Sequence, residues 1–310
     1  MKRIALLLAA LAGPATSQVL LNPSKSPSTI RVDVDLVNVL CSVRDRRGVY
    51  VQGLSREDFT VRDEGKPQPI TNFAGQLDTP LTVALLLDVS GSVSTILPVE
   101  KAAASAFFRD VLRPSDQAML VGFAELVAVW QDLTPPGARL NEALENAGSF
   151  QLAPEHSVHR GAGTLLYDAV NLVARQKLND VTGRKIIVLI TDGLDLGSEV
   201  KPQEAVRAAQ QADAVIYAIH YGNGWQGPGG GVAALEKLST PTGGRVFHVD
   251  EKTTVDNAFA AIQEEMRNQY SIGFRRPEGA QDGAYRRIEV SVSKPGLKVQ
   301  ARHGYYVAQR

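Results

Sequence analysis

An α/β fold with a doubly wound, mostly parallel sheet, inserted in a smaller all-β sandwich formed by the N- and C-terminal segments, is what this sequence predicts. Three observations carry the expectation. The runs Leu81–Leu87, apolar except for Thr82, and Ile186–Ile190 read as strands covered on both faces. Between and after them, segments with helical spacing alternate with strands, the pattern of parallel βαβ units. Both ends of the chain revert to period-two alternation with short turns, and neither stretch alone is long enough to bury a comfortable core.

The elements follow in order. Lys2 and Arg3 precede an apolar run from Ile4 to Leu11, then Gly13, Pro14 and the small residues Ala15, Thr16 and Ser17. That order is the layout of a cleavable secretory signal over residues 1–17, and the Pro- and Ser-rich stretch behind it makes 18–27 a flexible leader. The apolar run is far shorter than the roughly 20 residues that span a bilayer, so a secreted or periplasmic protein without an integral membrane span is expected. Residues 28–78 should be the first part of the sandwich: a strand over Arg31–Arg44, a turn at Asp45–Gly48, a strand at Asp58–Val61, a turn at Asp63–Gly65, and a strand at Ile70–Phe73. Cys41 shares a strand face with Val37, Val39 and Val43, which predicts a buried, inert thiol.

Residues 79–270 should be the α/β domain. After Leu81–Leu87 come a helix at Pro98–Leu112, strands at Gln117–Phe123 and Val127–Gln131, and helices at Arg139–Asn146 and from Thr164 to about Lys177. The strand Ile186–Ile190 leads to a helix (Pro202–Ala212), a strand (Ala214–His220), a helix (Val232–Leu238), a strand (Arg245–Val249) and a last helix over Val255–Asn268. Residues 271–310 complete the sandwich with strands at Tyr270–Arg275, Arg287–Ser293 and Lys298–Val307. Separate β appendages are the competing arrangement.

Charge narrows the function classes. Lys plus Arg and Asp plus Glu are 33 each, so no overall field draws the chain to nucleic acid or anionic lipid. Any binding must come from a local site. With one cysteine an exported chain has no internal disulfide, and its stability must come from core burial.

One constellation carries chemistry. The strand ending at Leu87 runs into Asp88, Val89, Ser90, Gly91 and Ser92. In open α/β sheets ligands bind at the carboxyl ends of strands, where this segment falls. Side chains two residues apart in a tight loop can offer one carboxylate and two hydroxyls to a common point, with Gly91 allowing the close turn. The strand Ile186–Ile190 ends in Thr191, Asp192 and Gly193, a second carboxylate at the same edge, and the Gly161–Thr164 loop supplies a further hydroxyl. Oxygen donors of this kind suit Mg²⁺, Mn²⁺ or Ca²⁺ rather than zinc. Taken singly, Asp88 and Ser90 also fit as helix caps and Asp192 as a turn residue.

The segments DVSGS, GTLLYD and TDG resemble the metal-ion-dependent adhesion site (MIDAS) of the von Willebrand factor type A domain family, over about residues 79–270. The flanking LVNVLCSVRDRRGVYVQGLSREDFTVRDEGKPQPITNF, QYSIGF and HGYYV are similar to bacterial exported proteins that carry such a domain. The resemblance implies that Ser90, Ser92 and Thr164 contact the metal through hydroxyls while Asp88 and Asp192 act mostly through waters. Mg²⁺ is the cation it favours, with an open coordination position for an acidic side chain of a protein partner. It implies an adhesion or protein-binding module rather than an enzyme, and in some relatives exchange at the metal moves the Thr164 loop and the last helix.

Other motifs are set aside. Ser90 stands where a haloacid dehalogenase has its second Asp, and neither a Walker A sequence nor a GxSxG elbow is present. Glu155, His156 and His159 read as a surface loop, Trp130 as a core residue, and Trp225 in the Gly227–Gly231 region as an exposed candidate partner contact. Two other function classes stay open at this level: a metal-assisted hydrolase using the same cation, and a structural envelope protein whose site is vestigial.

Overall fold

The computed structural model describes residues 36–75, 79–91, 96–148, 158–160, 163–221, 231–250 and 253–307. The signal-like segment, the leader, Ser92, Glu155, His156 and Trp225 lie outside the described residues. The described residues open with four strands, β1 (Leu36–Arg44), β2 (Phe59–Asp63), β3 (Lys66–Gln68) and β4 (Ile70–Ala74). Next come β5 (Leu81–Asp88), α1 (Leu97–Val111), β6 (Gln117–Phe123), β7 (Leu126–Thr134), α2 (Ala138–Asn146) and β8 (Val158–Arg160). Then follow α3 (Leu166–Leu172), β9 (Arg184–Thr191), α4 (Pro202–Gln211), β10 (Ala214–His220), α5 (Val232–Ser239), β11 (Val246–His248) and α6 (Val255–Arg267). The last strands are β12 (Gln269–Arg275), β13 (Tyr285–Val292), β14 (Lys298–Ala301) and β15 (Gly304–Tyr306).

The central sheet has the order β11-β10-β9-β5-β6-β7-β8. Strands β11, β10, β9, β5 and β6 are mutually parallel; β7 runs antiparallel at one edge, and β8, antiparallel to β7, runs in the direction of the other five. Alternation along the central strands sorts the core into two layers. On one face of β5, Val83, Leu85 and Leu87 pack with Phe107 and Phe108 of α1, Leu140 of α2 and Phe259 and Ile262 of α6. Ala84 and Leu86 pack on the other face with Ala169 and Val170 of α3, Ala208 and Ala209 of α4 and Leu235 and Leu238 of α5. Each large apolar side chain buried this way contributes about 1.5–3 kcal/mol, which explains why the central strands tolerate no exposed face. The start of α6 is set by Thr254, whose Oγ1 accepts from the Asn257 amide at 3.2 Å while Asn257 Oδ1 accepts from the Thr254 amide at 3.0 Å.

Both chain ends build two four-stranded sheets, ordered β14-β1-β12-β4 and β15-β13-β2-β3. Strand β1 pairs antiparallel with β12 from Leu36↔Arg275 to Ser42↔Gln269, and β2 with β13. The inner faces share one core, with Val39, Cys41, Val43, Val61, Tyr270, Ile272 and Phe274 among its members. Cys41 is buried, and burial pushes its thiol up to about 12. Native protein at pH 8 should therefore resist a thiol reagent that labels the urea-unfolded chain within minutes; equal rates in both states would contradict this placement.

Several expectations need correction. The stretch Lys298–Val307 is not one strand: β14 joins the sheet of β1 and β15 joins that of β13, so the chain changes sheets at Arg302 and His303. His159, expected in a surface loop, lies instead in Val158–Arg160, which pairs its backbone with β7 as an edge strand. Lys66–Gln68 pairs with β2, although Pro67 masks its alternation. The helix expected from Thr164 begins at Leu166 and continues past Leu172 through a wider turn, Val173–Leu178. Trp130 is partly buried and packs against the core, as expected. Among the described residues no helix is long and apolar enough to cross a membrane.

Where the sandwich meets the α/β domain, a single buried carboxylate collects donors from both. Glu265 of α6 is 1% exposed. It accepts from Tyr50 OH at 2.9 Å, Arg245 Nε at 2.8 Å, Tyr217 OH at 3.3 Å and Ser42 Oγ at 3.4 Å.

Candidate metal centre

Strands β5 and β9 lie side by side, with Leu87 opposite Ile190, so the residues that follow emerge together at the carboxyl edge of the sheet. Asp88 is fully buried there and both its oxygens are engaged. Oδ2 accepts from Thr191 Oγ1 at 2.6 Å and Oδ1 from the Ser90 amide at 3.0 Å. Thr191 Oγ1 accepts in turn from the Gly193 amide at 3.0 Å, and Asp192 Oδ1 from the Leu194 amide at 3.0 Å. Gly193 has φ 77°, and a Cβ there would meet the Gly231 carbonyl oxygen at 2.5 Å. Only glycine allows the chain to leave Asp192 in this direction.

The third segment is stitched to the second. The Leu196 amide donates to the Thr164 carbonyl at 3.1 Å, and Gly163, at φ 101°, lies so close that a Cβ would sit 2.9 Å from Leu196 Cβ. One residue before Leu196, Asp195 Oδ2 accepts from the Tyr167 amide at 3.1 Å, capping α3 from a distant loop. Asp168 of α3 accepts in the other direction, from the Glu199 and Val200 amides at 3.2 and 2.9 Å, while Ser198 Oγ donates to Asp195 at 2.5 Å. This lattice brings Thr164, which is buried, to the same edge as Asp192. Of the expected site residues, Asp88, Ser90, Thr164 and Asp192 therefore stand on segments joined directly or through one loop; Ser92 lies outside the described residues.

The electrostatics of this edge are one-sided. Burial raises the Asp88 carboxyl above its ordinary value, and the charge of Asp192 adds to the rise, partly offset by the hydrogen bonds from Ser90 and Thr191. Beneath them sits a third acid, Glu100 of α1, fully buried. Neither of its oxygens has a hydrogen bond of proper geometry among the described residues, nor does the buried hydroxyl of Tyr221. Tyr221 is close enough to favour the charged carboxylate, but burial dominates and, with Asp88 nearby, pushes Glu100 up to about 8. His220 adds no compensating charge, because burial and His248 hold its imidazole below the ordinary value. Sequence reasoning missed Glu100, although it carried a signal: an acid at position 100 shares the buried stripe of α1 with Ala103, Ala104, Phe107 and Phe108.

With its carboxyl pushed up to about 8, Glu100 is mostly protonated at neutral pH, so the negative charge of this edge is that of Asp88 and Asp192. The donor set (hydroxyls and carboxylates at a strand-end loop) is that of a hard divalent cation, so these residues fit the metal the sequence implies. Among the described residues no cluster of three His, Cys, Asp or Glu side chains has metal-ligating geometry. A pH dependence follows. Glu100 takes up its proton more readily folded than unfolded, so chelated protein should lose stability as pH rises from about 4.5 through 8. Glu100→Gln should flatten that slope in urea titrations at several pH values; an unchanged slope would show that Glu100 does not carry it.

Residues 82–261, more than half of the chain, match the von Willebrand factor type A domain family. No curated protein matches the chain. Among solved structures, a von Willebrand factor type A protein from Catenulispora acidiphila is similar over 81% of this chain and 73% of its own length, at 14% identity and a TM-score of 0.50. BatB, a conserved hypothetical protein from Bacteroides thetaiotaomicron, is similar over 60% of this chain and 97% of its own, at 21% identity and a TM-score of 0.47. Proximal thread matrix protein 1 from the mussel byssus, in a structure with a zinc-occupied MIDAS motif, covers 64% of this chain and 48% of its own, at 16% identity and a TM-score of 0.47. At these identities the likeness concerns fold alone, and the match over residues 82–261 is what decides membership. The chain belongs to the von Willebrand factor type A domain family.

Proposed function

We propose that this protein is an exported, non-enzymatic binding module that engages a protein partner through a divalent cation held by Asp88, Ser90, Ser92, Thr164 and Asp192. The observation that carries the reading is the meeting of two acids at one sheet edge: Asp88, buried with its oxygens on Thr191 and the Ser90 amide, and Asp192 at the end of the neighbouring strand. In this reading Ser90, Ser92 and Thr164 give neutral hydroxyls, and Asp88 and Asp192 lie behind them as charge-bearing acceptors. Neutral direct donors leave the ion, Mg²⁺ in preference to Mn²⁺ or Ca²⁺, electrophilic when bound. An acidic side chain of the partner is the natural occupant of its remaining position. Thr191 keeps Asp88 oriented, and the Asp195–Ser198–Asp168 lattice keeps the Thr164 segment in register. The N-terminal signal would deliver the module to the periplasm or exterior, where millimolar cations can fill the site.

The test is thermal: chelated protein should gain stability on addition of millimolar Mg²⁺, with Mn²⁺ and Ca²⁺ compared in parallel. Identical melting curves with and without cation would dispose of the proposal.

A further inference from the structure

A second site lies far along the chain from the metal centre. An open cleft of about 480 Å³ runs along the junction of β13, β14 and the segment before β11. Arg44, Arg245, Lys298, Arg302 and His303 line it, against one carboxylate, Glu289, among the described lining residues.

Three features mark these cations as more than a solvated rim. The antiparallel ladder places Arg44 directly opposite Lys298. Such partners have Cβ atoms about 4.5–5.5 Å apart, and like charges in that position repel. Arg245 and Arg302 are neutralised by Glu265 and Asp213 respectively, but among the described residues neither Arg44 nor Lys298 is paired with a carboxylate. Arg44 donates to the amide oxygen of Gln300, at 2.6 Å. Finally, Arg302 has a side chain 10% exposed and a buried Nε with no acceptor among the described residues, even though its terminal nitrogens reach Asp213 and the Asn38 carbonyl. A juxtaposed cation pair and an unsatisfied guanidinium donor, gathered at one small-molecule-sized cleft, lack a common acceptor.

The geometry points to a binding site for a small oxyanion, a phosphate or carboxylate group held between Arg44 and Lys298 with Arg302 at its back. Guanidinium groups match the planar or tetrahedral oxygens of both anions, and the ammonium of Lys298 adds a point charge. The anion relieves the cross-strand repulsion and ties the β14 edge to the α/β domain, in whose first residues before β11 Arg245 stands. This site is independent of the metal centre.

The experiment is calorimetric titration of the full chain with inorganic phosphate and, separately, with citrate, at constant ionic strength and against a chloride control. Saturable binding at one site is expected for the phosphate arm, the citrate arm or both, and the stronger arm identifies the anion chemistry. Arg44→Gln and Lys298→Gln should each weaken it about tenfold, while Glu289→Gln should tighten it severalfold. Lys298 is exposed, so Lys298→Gln retains the fold even if Arg44→Gln does not. Asp88→Ala should bind the anion like wild type, which separates this site from the cation reading. Absence of saturable heat with both probes, or equal affinity in wild type, Lys298→Gln and Glu289→Gln, would overturn the assignment.

Discussion

Asp88→Ala abolishes the stabilisation that divalent cations give the wild-type protein. At a cation concentration of one hundred times Kd, binding to the folded state alone is worth about 2.7 kcal/mol. For a domain of this size that raises Tm by about 5–10 °C. Asp88 stands at the centre of the acid edge, with Thr191 and the Ser90 amide on its two oxygens, so its removal takes away charge and loop order together. Differential scanning fluorimetry with Mg²⁺ against chelator reads the effect directly, and circular dichroism of the chelated variant checks its fold. Asp192→Ala should behave alike. A wild-type-sized shift in either variant would mean that the cation sits elsewhere.

The largest loss of stability is expected from Glu265→Ala. Removing one partner of a buried, hydrogen-bonded ion pair costs about 3–5 kcal/mol, because Arg245 and three hydroxyls lose their acceptor at once. Glu265→Gln keeps the shape and an acceptor and should cost less. The double variant Arg245→Met with Glu265→Leu should recover much of the loss, since it leaves no orphaned charge. Urea unfolding measures all of them. A change below about 1 kcal/mol for Glu265→Ala would show that the tyrosines and Arg245 find water instead, and that the two layers are held by other contacts.

Much of the architecture was legible because burial writes itself into periodicity. Leu81–Leu87 and Ile186–Ile190 have no polar face and so had to be interior strands; Val37, Val39, Cys41 and Val43 alternate and so had to line a core. The insertion of the α/β domain into one sandwich was readable from the inadequacy of either β end alone, and the ladder from Leu36 to Arg275 joins the two ends. What escaped was set by contacts between distant segments. No local pattern announces that Asp195 caps α3, that Asp168 receives the amides of Glu199 and Val200, or that Lys298–Val307 divides between two sheets. The candidate site stood out through motif spacing at strand ends, while its supporting acid, Glu100, was hidden as one more charged residue in an amphipathic helix.

The ladder that joins Leu36 to Arg275 also dictates an order of assembly. The first strand emerges with an apolar face and no partner, and its neighbour is synthesised only after the whole inserted domain. Closing so long a loop is entropically slow, so the inserted domain matures first and the sandwich is the final step. Until then that strand is an open template for aggregation, and the chain has to be kept from pairing with its siblings while it waits.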